Sequence, residues 1–264
     1  MYQIYQWSDN NKLQRLDSYQ YWNDEKKEEK KEWNIQDGNF GKLESYIETM
    51  GLDKDLRQAL KISGICGKTR LTGIELGGGV CWSAPVLFEQ LNDIKEMQFL
   101  EFSYHRIAKI APLLLEHYRI PEDKVKLILG SFYEIKCPDE TMDFVLLSQA
   151  LHHAAEVERL LAEIYRVLKK DGVVIIIGEQ KCGWKFVIYK MLERWRDIVF
   201  GNRHSNNIML YKQSGCLSVD NVLGDRLYSF GSYRKMFRRN KFKFKKINTQ
   251  RNGLGFVLWK QSEL

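Results

Sequence analysis

At 264 residues the chain has room for one α/β enzyme domain, and an apolar share of 44% is enough for a sizeable core. No apolar run is long enough to cross a bilayer, residues 1–10 hold no signal-like hydrophobic stretch, and the five cysteines lack the paired spacing of a disulfide framework or a zinc site. A cytoplasmic protein with reduced thiols, no membrane insertion and no metal is therefore expected. The formal charge of +7 is concentrated in residues 234–246, which carry eight basic side chains and no acidic one. That run fits a solvated helix end and edge strand, or a surface for nucleic acid, phosphorylated substrates or anionic membranes.

Residues 1–70 read as a polar, helical extension. The run DEKKEEKKE at 24–32 mixes signs at helical spacing and is expected to face solvent, while Leu43, Ile47, Leu52, Leu56 and Leu60 suit apolar helix faces. From Leu71 the texture changes to short apolar runs alternating with helical periods, the pattern of a doubly wound, mostly parallel sheet. Strands are predicted at 71–76, 97–102, 125–129, 143–147 and 173–178, with two more at 242–247 and 255–259. A helix is predicted at 157–170 with Val157, Leu160, Leu161, Ile164 and Leu168 in one stripe. Another follows Ser103 and should be interrupted at Pro112. An aromatic-rich helix at 185–200 places Val187, Ile188, Met191, Trp195 and Ile198 on one face; it either covers the sheet or meets another subunit. The long stretch after Gly178 suggests a lid inserted at about 180–240 in a domain spanning 71–264.

Chemistry concentrates at Gly73-Ile74-Glu75-Leu76-Gly77-Gly78-Gly79-Val80-Cys81. Three glycines directly after a buried strand permit a tight turn and close approach of a ligand to the backbone. Glu101 ends the next strand, where a carboxylate can accept hydrogen bonds from ribose hydroxyls; otherwise it is a helix-start carboxylate. A dinucleotide turn wants a small residue where this chain has Trp82, which disfavours a nicotinamide cofactor. Glu75, two positions before the first glycine, suits the ammonium group of a phosphate-free nucleoside cofactor, directly or through water.

Glu75-Leu76-Gly77-Gly78-Gly79 resembles the first motif of class I, Rossmann-like S-adenosylmethionine-dependent methyltransferases, and Phe99-Leu100-Glu101-Phe102-Ser103 the second. Residues 137–145 are similar to the fourth-strand entry of that family, and Ser148-Gln149-Ala150-Leu151-His152-His153 to the loop after it. Residues 161–177 resemble the helix, turn and fifth strand of the small-molecule, type 11 branch. The resemblance implies a seven-stranded sheet with a terminal antiparallel strand, S-adenosyl-L-methionine as cofactor, and transfer of its methyl group to a nucleophile. Carried over residue by residue, it implies cofactor contacts from Glu75, Gly77, Gly78, Gly79, Glu101, Phe102, Ser148 and Gln149. Two departures stand out. Cys81 replaces the last glycine, which is tolerable unless the backbone there needs a positive φ. Gly130-Ser131-Phe132 replaces an acidic adenine contact, leaving Ser131 and Phe132 to meet the base.

His152 and His153 follow the fourth strand, where the nucleophile would sit; either is a candidate general base, His152 ahead of His153, or else a structural group that bonds backbone or stacks on the cofactor side of the sheet. Asp225, Arg226, Tyr228 and Tyr233 group polar tips that read substrate or cap the fold. No [DN]-P-P-[YFW] follows the fourth strand and no Pro-Cys lies in the loop, so a small-molecule acceptor leads, with a hydroxyl on a sugar or other metabolite preferred. An RNA methyltransferase using residues 234–246 and a non-catalytic cofactor-binding module are the alternatives.

Overall fold

The computed structural model describes residues 2–15, 19–199, 214–220, 222–250 and 253–261. Its strands are β1 (Ile4–Gln6), β2 (Leu71–Leu76), β3 (Ile94–Glu101), β4 (Val125–Leu129), β5 (Met142–Ser148), β6 (Leu168–Gln180), β7 (Cys216–Val219), β8 (Arg226–Tyr228), β9 (Phe242–Ile247) and β10 (Gly253–Lys260). Eight of them form one sheet in the order β1-β4-β3-β2-β5-β6-β10-β9, and β7 pairs with β8 apart from it. The strands from β1 across to β6 pair in parallel, and β10 runs antiparallel to both β6 and β9. This is the expected doubly wound sheet with its antiparallel strand near one edge. The eighth strand is the addition: Ile4 to Gln6 pair with Leu127 to Leu129, so the helical extension begins as an edge strand. Three residues are too few for an alternation pattern to announce it.

The helices are α1 (Asn10–Leu13), α2 (Tyr19–Trp22), α3 (Glu25–Glu28), α4 (Phe40–Met50), α5 (Leu52–Ser63), α6 (Ala84–Gln90), α7 (Ala111–His117), α8 (Val157–Val167), α9 (Trp184–Val199) and α10 (Phe230–Arg239), and those packed on the sheet cover both of its faces. Every residue of β5 is buried, because a parallel strand covered on both sides has no solvent face. The period of two then sorts its side chains. Val145 and Leu147, with Ile74, Val174 and Ile176, pack on the side of α8 and α10. Phe144 and Leu146, with Phe99, Ile175 and Ile177, pack on the side of α5, α6 and α7.

Two boundaries differ from expectation for physical reasons. Helix α8 keeps its apolar stripe but stops at Val167, because Leu168 turns extended and pairs with Met142 at the start of β6. Lys169 thereby leaves the helix and reaches Asp143 at 2.8 Å. After β3 the chain winds as a π-helix over His105–Ile110, and the α-form begins at Ala111 with Pro112 in its first turn. Pro112, which has no amide hydrogen to donate, follows directly on that change of winding. The interruption expected at Pro112 is this change of winding.

Gly73 in β2 sits against the Phe144 ring of β5; a Cβ added there would lie 2.1 Å from Cζ. Both residues are in the middle of the sheet, so Gly73→Ala should destabilise the fold by about 1–3 kcal/mol through overpacking. Chemical denaturation would show this as a lower midpoint, partly restored when Phe144→Leu is added. A Gly73→Ala midpoint equal to wild type would contradict the packing.

Candidate active site

The sheet reverses its winding between β2 and β5, and the crevice at the carboxyl ends of these strands is where α/β folds bind ligands. The turn after β2 is built on three left-handed residues at alternate positions: Gly77 at φ 74°, Gly79 at φ 54° and Cys81 at φ 63°. The backbone at position 81 therefore does need a positive φ, and cysteine occupies it at a cost of about 1–2 kcal/mol. Its side chain is wholly buried, and burial, with Glu75 and Glu101 nearby, pushes the thiol well above its usual range. It is an inert packing thiol.

Glu101 ties this turn to β3. One carboxylate oxygen accepts from the Gly79 amide at 2.8 Å; the other accepts from Phe102 and Ser103 amides at 2.9 and 2.8 Å. The Gly77 and Gly78 amides both reach the Leu100 carbonyl, at 2.8 and 3.0 Å. A carboxylate has about four acceptor sites, so Glu101 keeps capacity on the side that lines the cavity.

The cavity has a volume of ≈ 470 Å³ and runs from the glycine turn past Phe102, Phe132, Ser148 and Gln149 to His152, His153 and Asp225. Ser148 Oγ is buried in its wall without a hydrogen-bond partner among the described residues. Gln149 holds φ 53°, and its side-chain oxygen accepts from the Tyr46 hydroxyl at 3.2 Å. Ser131 lies in an adjoining pocket with Gly77, Phe102, Phe132 and Tyr133.

Several expected site residues fall elsewhere. Glu75 is not on the cavity wall: its buried carboxylate is turned behind the glycine turn, where the Ser83 hydroxyl donates to it. Arg226 is buried and donates to the carbonyls of Gly224 and His153 at 2.8 and 3.3 Å. Tyr228 and Tyr233 are core residues, packed ring to ring at 5.4 Å. Of the four expected substrate readers only Asp225 lines the cavity. Of the expected lid, Gln180 and Asp225 do so among the described residues; residues 200–213 and 221 lie outside them.

The histidines form two imidazole–carboxylate pairs. His152 Nδ1 lies 3.2 Å from Glu179 Oε2, which also accepts from the Tyr233 hydroxyl at 2.8 Å. Burial opposes charge on His152, but the charge and hydrogen bond of Glu179, with Asp225, outweigh it and raise its pKa. His153 Nδ1 lies 2.9 Å from Asp225 Oδ1. There burial prevails, helped by the charge of His152, and the pKa falls below its usual value. The ligand atoms of His152, His153 and Asp225 lie within 4.8 Å of one another, near enough to share a divalent ion, yet each ring already faces its own carboxylate.

Comparisons with known proteins agree with this geometry. Residues 75–176 match the type 11 family model described as a methyltransferase domain. A demethylmenaquinone methyltransferase of Symbiobacterium thermophilum is 33% identical over 75 residues, 28% of this chain and 30% of that protein. The match therefore spans less than a third of that relative's length. Among solved structures, a methyltransferase from Aquifex aeolicus superposes with a TM-score of 0.52 at 15% identity, covering 81% of this chain and 95% of that one. Human N-acetylserotonin methyltransferase bound to its cofactor superposes at 0.51 with 17% identity, covering 80% and 52%. Residues 75–176 are thus similar to a methyltransferase domain, and the chain shares the fold of these cofactor-dependent enzymes.

The N-terminal segment supplies cavity walls that the motifs of the methyltransferase domain do not. Trp22, Trp33 and Tyr46 line it, beside Arg106 of the π-helix after β3. Glu28, expected to face solvent within the charged run, is buried; it accepts from Arg106 at 2.7 and 2.8 Å and from the Trp33 indole at 2.9 Å. The Arg106 guanidinium lies 4.7 Å from the Trp22 ring centroid and 5.0 Å from that of Trp33. The only sequence signal was the presence of tryptophans beside a charged run.

Burial raises the Glu75 carboxyl to about 8, partly offset by the Ser83 hydrogen bond, with the charge of Glu101 adding to the rise. Between the usual value of 4.5 and 8 the unfolded chain has released a proton that the folded chain keeps, so this group lowers stability as pH rises. Replacing Glu75 by Gln removes that proton linkage and retains an acceptor for Ser83. The melting temperature of Glu75→Gln relative to wild type should climb from pH 5 to pH 8, by the equivalent of a few kcal/mol, roughly. A difference that does not change with pH would show that Glu75 ionises freely in the folded protein.

Proposed function

We propose that the protein transfers the methyl group of S-adenosylmethionine to a hydroxyl of a small molecule. The observation that carries this reading is the Glu101 carboxylate, locked by three backbone amides beside the open glycine turn. The residues present fit the cofactor. Gly79 has open space where a Cβ would project, Glu101 has a remaining acceptor site for a ribose hydroxyl, and Phe102, Ser131 and Phe132 surround the place for adenine. Ser148 Oγ offers a buried polar atom that a bound ligand would satisfy. Bound there, the cofactor supplies an electrophilic methyl on a sulfonium; the protein aligns the acceptor and excludes water.

The second end of the cavity suits a protic acceptor. His153, whose pKa burial lowers and whose ring faces Asp225, is better placed to take a proton than His152, whose pKa the charge of Glu179 raises against the effect of burial. Gln180 donates to the second Asp225 oxygen at 3.0 Å and steadies the pair. None of the eight basic residues at 234–246 lines the cavity, and the relative's name denotes a small-molecule acceptor, so RNA is the less supported substrate.

Calorimetry tests the cofactor first. Wild type should bind S-adenosylmethionine in preference to NAD, and Glu101→Ala should weaken that binding by about tenfold or more, the cost of charge-assisted hydrogen bonds to hydroxyls. Undiminished binding, or none by wild type, would overturn the assignment. Once a metabolite screen for S-adenosylhomocysteine release has found an acceptor, His153→Ala should lower kcat by about 10²–10⁴ at saturating substrate. An unchanged kcat would remove the base role and leave alignment as the whole of catalysis.

A further inference from the structure

Helix α9 leaves the sheet four residues after Gln180, which lines the cavity, and presents an uncovered apolar face. At 100° per residue Trp184, Ile188, Met191, Leu192, Trp195 and Val199 fall within an arc of about 100°. All six are exposed, Trp184 to 69%, Trp195 to 66% and Leu192 to 61%. The expectation of a sheet-covering helix fails here, since this face is exposed and belongs to neither core cluster. Ile198, expected on the same face, lies outside the described side chains.

We infer that α9 docks the protein on an anionic lipid bilayer, with this apolar face set into the headgroup boundary. Lys185 and Arg196 lie along one edge of the apolar arc, and exposed Lys181 precedes the helix. Lys190 stands on the far face, paired with Glu193 at 2.8 Å. Tryptophan near both ends of an apolar stripe with a basic edge suits a helix lying in a membrane interface. The charge agrees: the chain carries +7, and all eight basic residues at 234–246 are exposed. A second copy of the chain is a weaker occupant, since it would bring the same positive charge to the contact. No helix among the described residues is long and apolar enough to cross a membrane, so the contact is peripheral. The docking does not depend on the methyl-transfer reading; if that reading holds as well, the acceptor class it favours is an amphiphile entering from the bilayer surface.

Co-sedimentation of the full chain with vesicles tests this. Wild type should pellet with equimolar phosphatidylcholine and phosphatidylglycerol, far less with phosphatidylcholine alone, and its tryptophan emission should shift to the blue. Leu192→Glu/Trp195→Glu changes two exposed side chains and should keep the wild-type melting temperature and S-adenosylmethionine affinity. It should lose vesicle binding by about tenfold or more, because two large apolar groups leave the lipid contact. Wild type that stays in the supernatant with anionic vesicles would overturn the inference. So would a double variant that still pellets, which would place the contact on the basic strand. A wild-type dimer in solution that the double variant converts to monomer would show the face to be a contact between copies, and would also overturn it.

Discussion

The capture of the Gly79 amide by Glu101 is the constraint on which the site depends. It joins the end of β3 to a turn whose backbone would otherwise be free to relax, because that turn runs through three left-handed residues and gains little from regular hydrogen bonding. The Leu100 carbonyl, taking two amides from the same turn, adds to the hold. The result is a rigid cradle on one side of the crevice. It is paid for by strain at Cys81, where a buried side chain sits in a conformation usually left to glycine.

The opposite side of the crevice is assembled from parts distant in sequence. Glu179, at the end of β6, gathers the Leu151 amide, the His152 ring and the Tyr233 hydroxyl around one buried carboxylate. Tyr233 thus belongs to the site as a positioning group for Glu179, although it does not line the cavity. The N-terminal segment closes the remaining wall through the buried Glu28–Arg106 pair and the two tryptophans against that guanidinium. A buried, bidentate ion pair is costly to form without good geometry, and its worth here lies in fixing where the aromatic wall stands.

The legible and illegible parts of the sequence divide along physical lines. Strands β2, β4 and β5 were readable because each is buried on both faces, which forces a continuous apolar run with turns at its ends. The glycine turn and Glu101 were readable because backbone conformation restricts residue type locally. Strand β1 was not, since three residues carry no period. The burial of Glu28 was not either, because a mixed-charge helix looks solvated until its partner, seventy-eight positions away, is brought beside it. Arg226 and Tyr228 were grouped with Asp225 as substrate readers by nearness in sequence, yet strand β8 turns them into the core.

The sequence by itself determined the sheet, the glycine turn and the acidic residue beside it, because these follow from local backbone demands and from apolar periodicity. Only the tertiary structure decided which polar groups share the cavity. That depends on long-range packing: it set Glu75 behind the turn, gave His152 and His153 different carboxylates and opposite pKa shifts, and left the apolar face of α9 uncovered. Burial and charge act over distances in space that sequence separation does not report.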